Sequence, residues 1–106
     1  ILYLNIMLVF AAETSCDETS ICIMENEKII EHITFSQEIH KKYGGVVPEL
    51  ASRSHLEKIQ IMTNDLFTQK NLYPNKIDVF SATCGPGLIG SLLVGSTFTK
   101  SLAISF

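Results

Sequence analysis

The N-terminal third of the sequence alternates between apolar runs and short polar clusters. The first apolar run, over 1–12, is too short to cross a membrane and lacks the basic flank of a signal peptide, so it predicts a buried strand. A polar cluster follows at 13–18, and β-branched residues then predict strands over 19–24 and 28–35. The short polar breaks between these runs predict a three-stranded antiparallel meander.

The middle of the sequence changes to a helical pattern. No periodicity is visible over 38–47, which predicts a loop, and Pro48 and Glu49 then suit the first turn of a helix. Because apolar residues recur at spacings of three and four after that point, we predict a helix over 48–69.

A further strand and a second helix complete the pattern. The segment 71–75 breaks the first helix, and the apolar residues of 76–83 predict a fourth strand. A glycine-rich turn ends this strand, and a second helix is predicted from Leu88 onward. The element order is therefore β-β-β-α-β-α, which indicates an α/β fold.

The composition narrows the class of protein. The chain has 106 residues, of which 46% are hydrophobic, and its formal net charge is −3. These values predict one small domain, or part of one, and they exclude a disordered or low-complexity chain. Because acidic residues outnumber basic ones, the chain as a whole does not offer a positively charged surface for nucleic-acid phosphates. An RNA contact would therefore be local or shared with a partner.

The cysteines and histidines do not follow a metal-site pattern. Three cysteines form no C-x-x-C pair, and their odd number favours reduced thiols in a cytosolic protein. We interpret all three as small core residues rather than reactive thiols. The three histidines fall on a predicted strand, a loop and a helix, so we expect no metal bound by them. These residues are Cys16, Cys22 and Cys84, and His32, His40 and His55.

The first polar cluster concentrates oxygen-bearing side chains in one predicted turn. Three carboxylates and two hydroxyls at this point suit a magnesium ion or the orientation of a phosphate. Acidic residues are also common turn formers, and the residue chemistry alone favours that simpler interpretation. The side chains are Glu13, Thr14, Ser15, Asp17 and Glu18.

The glycine-rich segment at 85–90 matches the pattern G-x-G-x-x-G between a predicted strand and a predicted helix. A dinucleotide site is one interpretation. However, the segment follows the fourth strand instead of the first, Pro86 removes a backbone donor, and the sequence ends before the acidic ribose ligand expected about 20 residues later could appear. Binding of a phosphate at the helix N-terminus and an ordinary turn that requires glycine are the other two interpretations.

Small residues recur every four positions along the second predicted helix. Ser91, Gly95 and Thr99 form a stripe that lets another helix approach closely. Packing within the same domain is the favoured explanation, and the helix over 48–69 is one candidate for the neighbour. Joint docking of the two helices onto another subunit is the alternative.

Three segments together resemble one protein family. They are the residues Glu-Thr-Ser-Cys-Asp-Glu-Thr of 13–19, the segment 43–55 from Tyr-Gly-Gly-Val-Val-Pro-Glu to Ser-His, and the segment 85–95 that begins Gly-Pro-Gly-Leu-Ile-Gly. They resemble the tRNA N6-adenosine threonylcarbamoyltransferase family, formerly called glycoproteases or O-sialoglycoprotein endopeptidases. The resemblance covers about 7–106, and 1–6 are interpreted as an extension outside the family pattern.

The resemblance implies a fold and an activity. The fold is the actin-like ATPase (ASKHA) type with ribonuclease-H-like lobes, of which this chain would be the N-terminal lobe without the second. The family transfers threonylcarbamoyl from threonylcarbamoyl-adenylate to N6 of the adenosine that follows the anticodon of tRNA. The implied partners are a paralogous subunit of the TsaB type and a small ATPase, and the implied location is the cytoplasm, without a membrane.

The resemblance also implies site residues. Asp17 and Glu18 would be the functional acids, while Thr14 and Ser15 would be donors to the phosphates of the intermediate. Glu13, Gly85 and Gly87 would line the same phosphate site, and the loop 44–49 would border the cleft. One departure is Ala11, where the family usually has glycine.

A third implication is a limit on what this segment does by itself. The family binds iron or zinc through a His-x-x-x-His pair that follows the position of Phe106, and the second lobe supplies the adenine site. We therefore expect this chain alone to be inactive. The alternatives are a non-catalytic lobe that binds the paralogous subunit, and a dinucleotide-binding module.

Overall fold

The computed structural model describes residues 6–106. In chain order it contains β1 (Leu8–Glu13), β2 (Glu18–Glu25), β3 (Lys28–Ser36), a 3-10 helix (Glu38–Tyr43), α1 (Pro48–Gln69), a second 3-10 helix (Pro74–Lys76), β4 (Val79–Ala82) and α2 (Ile89–Ser105). The predicted order β-β-β-α-β-α is confirmed. The expectations for 1–5, a strand and an extension outside the family pattern, lie outside the described residues.

The four strands form one mixed sheet in the order β3-β2-β1-β4. The first three strands are an antiparallel meander, as the polar breaks predicted, and β4 pairs with β1 in parallel. Leu8 N donates to the Asp78 carboxylate at 2.8 Å and Leu8 O accepts from Asp78 N at 2.8 Å, which fastens the start of β1 to the chain just before β4. Parallel pairing therefore joins segments that are far apart in the sequence.

Both helices cover the same face of the sheet. Alternate residues of β1 and β2 are buried, among them Phe10, Ile21 and Ile23, and the apolar stripe of α1 packs on them through Ile59 and Leu66. Burial of these side chains is the main stabilising contribution to the fold, at about 1.5–3 kcal/mol for each fully buried large apolar side chain. The opposite face of the sheet stays open.

The predicted boundaries are confirmed for α1 and need correction at two places. The segment 38–47, predicted as a loop, contains the 3-10 helix Glu38–Tyr43, which ends at Gly44 with a φ of +72°. The fourth strand is shorter than the predicted 76–83, because Pro74–Lys76 is a 3-10 turn and pairing with β1 begins at Val79.

The interpretation of the cysteines as core residues is wrong. Cys16 and Cys84 are exposed in turns, and Cys22 is half-buried on the open face of the sheet. For Cys22 the physical reason is the alternation of side chains along a strand, because its neighbours Ile21 and Ile23 take the two inward positions. Among residues 6–106, no helix is both long enough and apolar enough to cross a membrane.

Candidate functional site

Two turns meet at one edge of the sheet. We define the acidic turn as residues 13–18, between β1 and β2, and the glycine turn as residues 83–88, between β4 and α2. Because β1 and β4 are parallel, both turns follow the carboxyl ends of their strands. Ligands of open α/β sheets bind in the crevice outside these ends. The fold thus brings together two segments that the sequence pattern singled out separately.

Gly87 makes the contact between the two turns possible. Leu88 N donates a hydrogen bond of 2.8 Å to the Ser15 carbonyl. A Cβ at Gly87 would lie 2.6 Å from that carbonyl oxygen and 2.7 Å from Ser15 Cβ, so a larger residue would force the backbones apart. Packing within the chain is therefore sufficient to explain this glycine of the G-x-G-x-x-G pattern. Gly85, where a Cβ would meet nothing within 4 Å, faces open space.

Thr14 joins the acidic turn to α2. Its side chain is 1% exposed, its hydroxyl donates to the Ser91 carbonyl at 2.6 Å, and the same oxygen accepts from Gly95 N at 3.0 Å. A threonine hydroxyl has one proton, which here is used on Ser91. The hydroxyl thus holds the helix to the turn, and the role of Thr14 as a donor to the phosphates stays a prediction.

Glu13 and Ser15 form a hydrogen bond inside the turn. The Ser15 backbone N–H donates to a Glu13 carboxylate oxygen at 2.8 Å, so this N–H is occupied. The Ser15 hydroxyl is half-buried beside the glycine turn and stays a predicted donor. Glu13 therefore shapes the turn through a short-range hydrogen bond of the kind that acidic residues commonly make there.

Asp17 and Glu18 lie at the mouth of an open cleft of about 450 Å³. The opposite wall comes from the loop that contains Gly44 and Gly45. Lys41 also lines the cleft, and its ion pair with Glu38 at 2.6 Å raises the pKa of its ammonium group. The cleft therefore presents two available carboxylates and one cation that is already paired.

The acidic turn does not gather its carboxylates around one point. In the part of the chain that the structure describes, no three His, Cys, Asp or Glu side chains are placed to share a metal ion. The interpretation of the three turn acids as a magnesium site is thus not supported by their geometry. His32 lies on β3 and His55 on α1, as predicted, whereas His40 lies on the 3-10 helix in place of the predicted loop.

His55 is a residue of the site that sequence reasoning missed. It is fully buried, its Nε2 donates to the Cys16 carbonyl at 2.8 Å, and its Nδ1 accepts from the Thr19 hydroxyl at 2.7 Å. Desolvation by burial lowers the pKa of the ring, against the opposite effects of the Cys16 carbonyl and the Glu13 and Asp17 charges. The available signal was its place on the apolar stripe of α1, four residues before Ile59.

Cys16 places a thiol in the acidic turn. Desolvation, and then the negative charge of Asp17, raise the pKa of this thiol above its ordinary value. Since the thiolate is the nucleophilic form, the turn suppresses the reactivity of an exposed cysteine. The expectation that Cys16 is not a reactive thiol thus has a physical basis, although the residue is not in the core.

The small-residue stripe of α2 packs within the domain. Ser91, Gly95 and Thr99 are all buried, and a Cβ at Gly95 would collide with the Thr14 hydroxyl. The favoured intramolecular explanation is therefore confirmed, but the neighbour of Gly95 is the acidic turn. The outward side of α2 is apolar and exposed, with Leu93 58% accessible.

Comparison with known proteins identifies the family of this chain. The family model described as tRNA N6-adenosine threonylcarbamoyltransferase matches residues 28–106. Curated proteins of that name are 48% identical over 101 residues in Fervidobacterium nodosum, 51% over 100 in Kosmotoga olearia and 54% over 97 in Trichodesmium erythraeum. These alignments cover 94%, 93% and 91% of this chain. The chain spans about 30% of the length of each relative.

A solved structure supports the fold independently. YeaZ from Pseudomonas aeruginosa superposes with a TM-score of 0.68 at 18% identity, over 93% of this chain and 39% of that one. At this identity the likeness concerns the fold alone, and it agrees with an N-terminal lobe of the actin-like type. The family model matches most residues of this chain, and the chain therefore belongs to the tRNA N6-adenosine threonylcarbamoyltransferase family.

Proposed function

We propose that this chain supplies the N-terminal lobe of an enzyme that transfers a threonylcarbamoyl group from threonylcarbamoyl-adenylate to N6 of the adenosine following the tRNA anticodon. One observation carries the proposal: at the carboxyl ends of β1 and β4, two segments with the family's motifs are joined by hydrogen bonds, from Leu88 N to the Ser15 carbonyl and from Thr14 to Ser91, which is 77 positions away. Because tRNA is the proposed substrate, the proposed location is the cytoplasm.

The proposed chemistry is acyl transfer with proton removal. The adenosine N6 attacks the carbonyl carbon of the threonylcarbamoyl group, the bond from that carbon to the phosphate oxygen breaks, and AMP leaves. The attacking amine loses a proton, and we assign its acceptance to Asp17 or Glu18, the available carboxylates of the cleft. A positioned base of this kind contributes about 10²–10⁴ in rate.

The proposed phosphate site is the N-terminus of α2 with the exposed Gly85 beside it. No side chain caps this helix at Leu88, so its first backbone N–H groups and its dipole are available to an anion. Gly87 holds this helix end against Ser15, which keeps the donors next to the acidic turn. The leaving adenylate would thus be stabilised beside the acids that act on the attacking group.

The family's iron or zinc does not fit the residues described. Positions 6–106 offer no cluster of three His, Cys, Asp or Glu side chains. No step is therefore assigned to a metal by this lobe, and the proposed activity rests on the lobe in combination with the remaining parts of the family enzyme.

A partner-binding role is the second proposal. Leu56 and Leu93 flank an apolar groove of about 380 Å³ between α1 and α2, and both side chains are exposed. We propose that this groove receives the helices of a paralogous subunit with the same fold, of the YeaZ type. The small ATPase would join through the same complex, but no surface of this chain is assigned to it.

A chimeric enzyme tests the first proposal. Residues 7–106 replace the matching segment of the Fervidobacterium nodosum relative, and transfer to tRNA is measured with its partner proteins. Asp17→Asn or Glu18→Gln is expected to lower kcat by about 10²–10⁴, whichever carboxylate is the base. Glu27→Gln, in the exposed turn between β2 and β3, is the matched control and keeps full activity. An inactive parent chimera, or full activity in both acid variants, would contradict the proposal.

A further inference from the structure

His55 contacts the chain on both sides of the two turn acids. Its Nε2 bonds to the carbonyl of Cys16, the residue before Asp17, and its Nδ1 bonds to the side chain of Thr19, the residue after Glu18. The ring is fully buried between these contacts. One rigid side chain from α1 therefore brackets the acid pair at its two ends.

The hydrogen bonds determine the tautomer of the ring. A backbone carbonyl accepts only, so the proton of His55 must be on Nε2, and Nδ1 must accept from the Thr19 hydroxyl. The neutral ring satisfies both partners at once. A charged ring would place a proton on Nδ1 and remove the acceptor that Thr19 uses.

Gln37 and His40 extend the same network to the far wall of the cleft. The Gln37 side-chain nitrogen donates to the Ala51 carbonyl at 3.2 Å and lies 3.5 Å from His55 Nδ1. Its oxygen accepts from His40 Nε2 at 2.6 Å, and His40 Nδ1 accepts from Val47 N at 3.0 Å. Both Gln37 and His40 are buried. A continuous polar network thus runs from the loop at Val47 to the acidic turn.

The polar network of His55, Gln37 and His40 does more than fill the space between α1 and the acidic turn. Replacing every member by an apolar residue would fill the same volume, but it would leave the Cys16 carbonyl without its donor, and unsatisfied buried groups are costly. The network reaches the backbone next to the acids at the Cys16 carbonyl, whereas the apolar core lies further along α1 at Ile59 and Leu66.

We propose that His55 is a positioning residue for the acid pair: it sets the direction of Asp17 and Glu18 through Cys16 and Thr19, and Gln37 and His40 couple the opposite wall of the cleft to the same ring. This inference rests on the proposed function of the two acids. His55 touches no substrate in this scheme and acts only through the backbone of the turn.

The first test needs no substitution. Nitrogen-15 NMR of the ring of His55 in the unaltered chain reports which nitrogen carries the proton and whether Nδ1 accepts a hydrogen bond. We expect a neutral ring at pH 7, protonated on Nε2. A ring protonated on Nδ1, or on both nitrogens, would overturn the inference.

The second test compares two replacements of similar size. His55→Gln keeps one donor and one acceptor, whereas His55→Leu keeps neither. In the chain itself, His55→Leu is expected to shift the amide resonances of Asp17 and Glu18, and His55→Gln to restore them in part. His32→Leu, on the exposed side of β3, is the matched control and leaves both resonances unchanged.

In the chimeric enzyme, His55→Leu should lower kcat on the order of tenfold to a hundredfold, the cost of misplacing a reacting group, with recovery in His55→Gln. Unmoved turn resonances in folded His55→Leu would overturn the inference, as would equal activity of all three proteins. An inactive parent chimera would contradict the proposed function but not the positioning of the turn, which the resonances and the ring measurement decide separately.

Discussion

The hydroxyl of Thr14 donates a hydrogen bond of 2.6 Å to the backbone carbonyl of Ser91, 77 positions further along the chain. The same oxygen accepts from the backbone N–H of Gly95, one helical turn later. One small buried side chain thus joins the turn that carries the acids to the helix whose N-terminus is the proposed phosphate site.

Replacement of Thr14 by valine should weaken the fold as well as the site. Valine has the shape of threonine but leaves the Gly95 N–H without its acceptor and removes the donor to Ser91, so we expect a loss of about 1–3 kcal/mol in the free energy of unfolding. Urea denaturation measures the change. Thr34→Val, on the exposed face of β3, is the control, and an equal loss in both variants would contradict the assigned role of Thr14.

Replacement of Gly87 by alanine should separate the two turns. The added methyl would meet the Ser15 backbone at 2.6 Å, and relief by backbone movement is expected to cost about 1–3 kcal/mol. Thermal unfolding of the variant checks this value. Gly45→Ala is the matched control, because its Cβ would meet nothing within 4 Å, and it should unfold at a temperature close to that of the unaltered chain.

The stability of the fold should fall as the pH drops below the ordinary histidine value. Burial lowers the pKa of His55 in the folded chain, so between the ordinary histidine pKa of 6.5 and that lowered pKa the unfolded chain binds more protons than the folded one. The stabilisation is therefore fully present above pH 6.5 and is lost as the pH falls through this window. Urea midpoints at several pH values between 7.5 and 5 measure the slope.

The control for this slope is a pair of variants. His55→Gln removes the titrating ring and should flatten the dependence, while His32→Gln, on exposed β3, should leave it as it is. A slope that is unchanged in His55→Gln would show that other groups cause the acid sensitivity.

The groove between α1 and α2 should be necessary for binding the proposed paralogous subunit. Leu93→Arg places a charge in this groove, and we expect association measured by calorimetry to be lost, because an apolar contact would have to bury the guanidinium. Ile61→Arg is the matched control, since Ile61 and Leu93 are both 58% exposed but Ile61 does not line the groove. Binding that persists in Leu93→Arg would contradict the assigned interface.

The regular elements could be predicted from the sequence where a local pattern and a packing face agree. The helix Pro48–Gln69 has both, with proline at its first position and an apolar stripe that meets the sheet, and its predicted limits are those observed. The 3-10 helix Glu38–Tyr43 has no such periodicity and was predicted as a loop. Cys22 was misplaced because a cysteine between two isoleucines gives no sign of which face of the strand it takes.

The site was only partly predictable for a related reason. The acidic turn and the glycine turn are visible as local motifs, and the family resemblance connected them. The bonds that join them pair residues more than 70 positions apart, Ser15 with Leu88 and Thr14 with Ser91, and no local pattern encodes such contacts. His55 appeared as one of three histidines without metal spacing, because its hydrogen bonds to Cys16 and Thr19 exist only once α1 lies on the sheet.

The parallel pairing of β1 with β4 also affects the order in which the parts of the lobe fold. The meander β1–β2–β3 closes short loops, whereas the contact of Val9 with Val79 must close a loop of roughly 70 residues at a higher entropic cost. As the chain leaves the ribosome, the acidic turn is therefore complete long before the helix that it must hold has been synthesised. The proposed phosphate site between the acidic turn and the N-terminus of α2 is therefore complete only when α2 has docked.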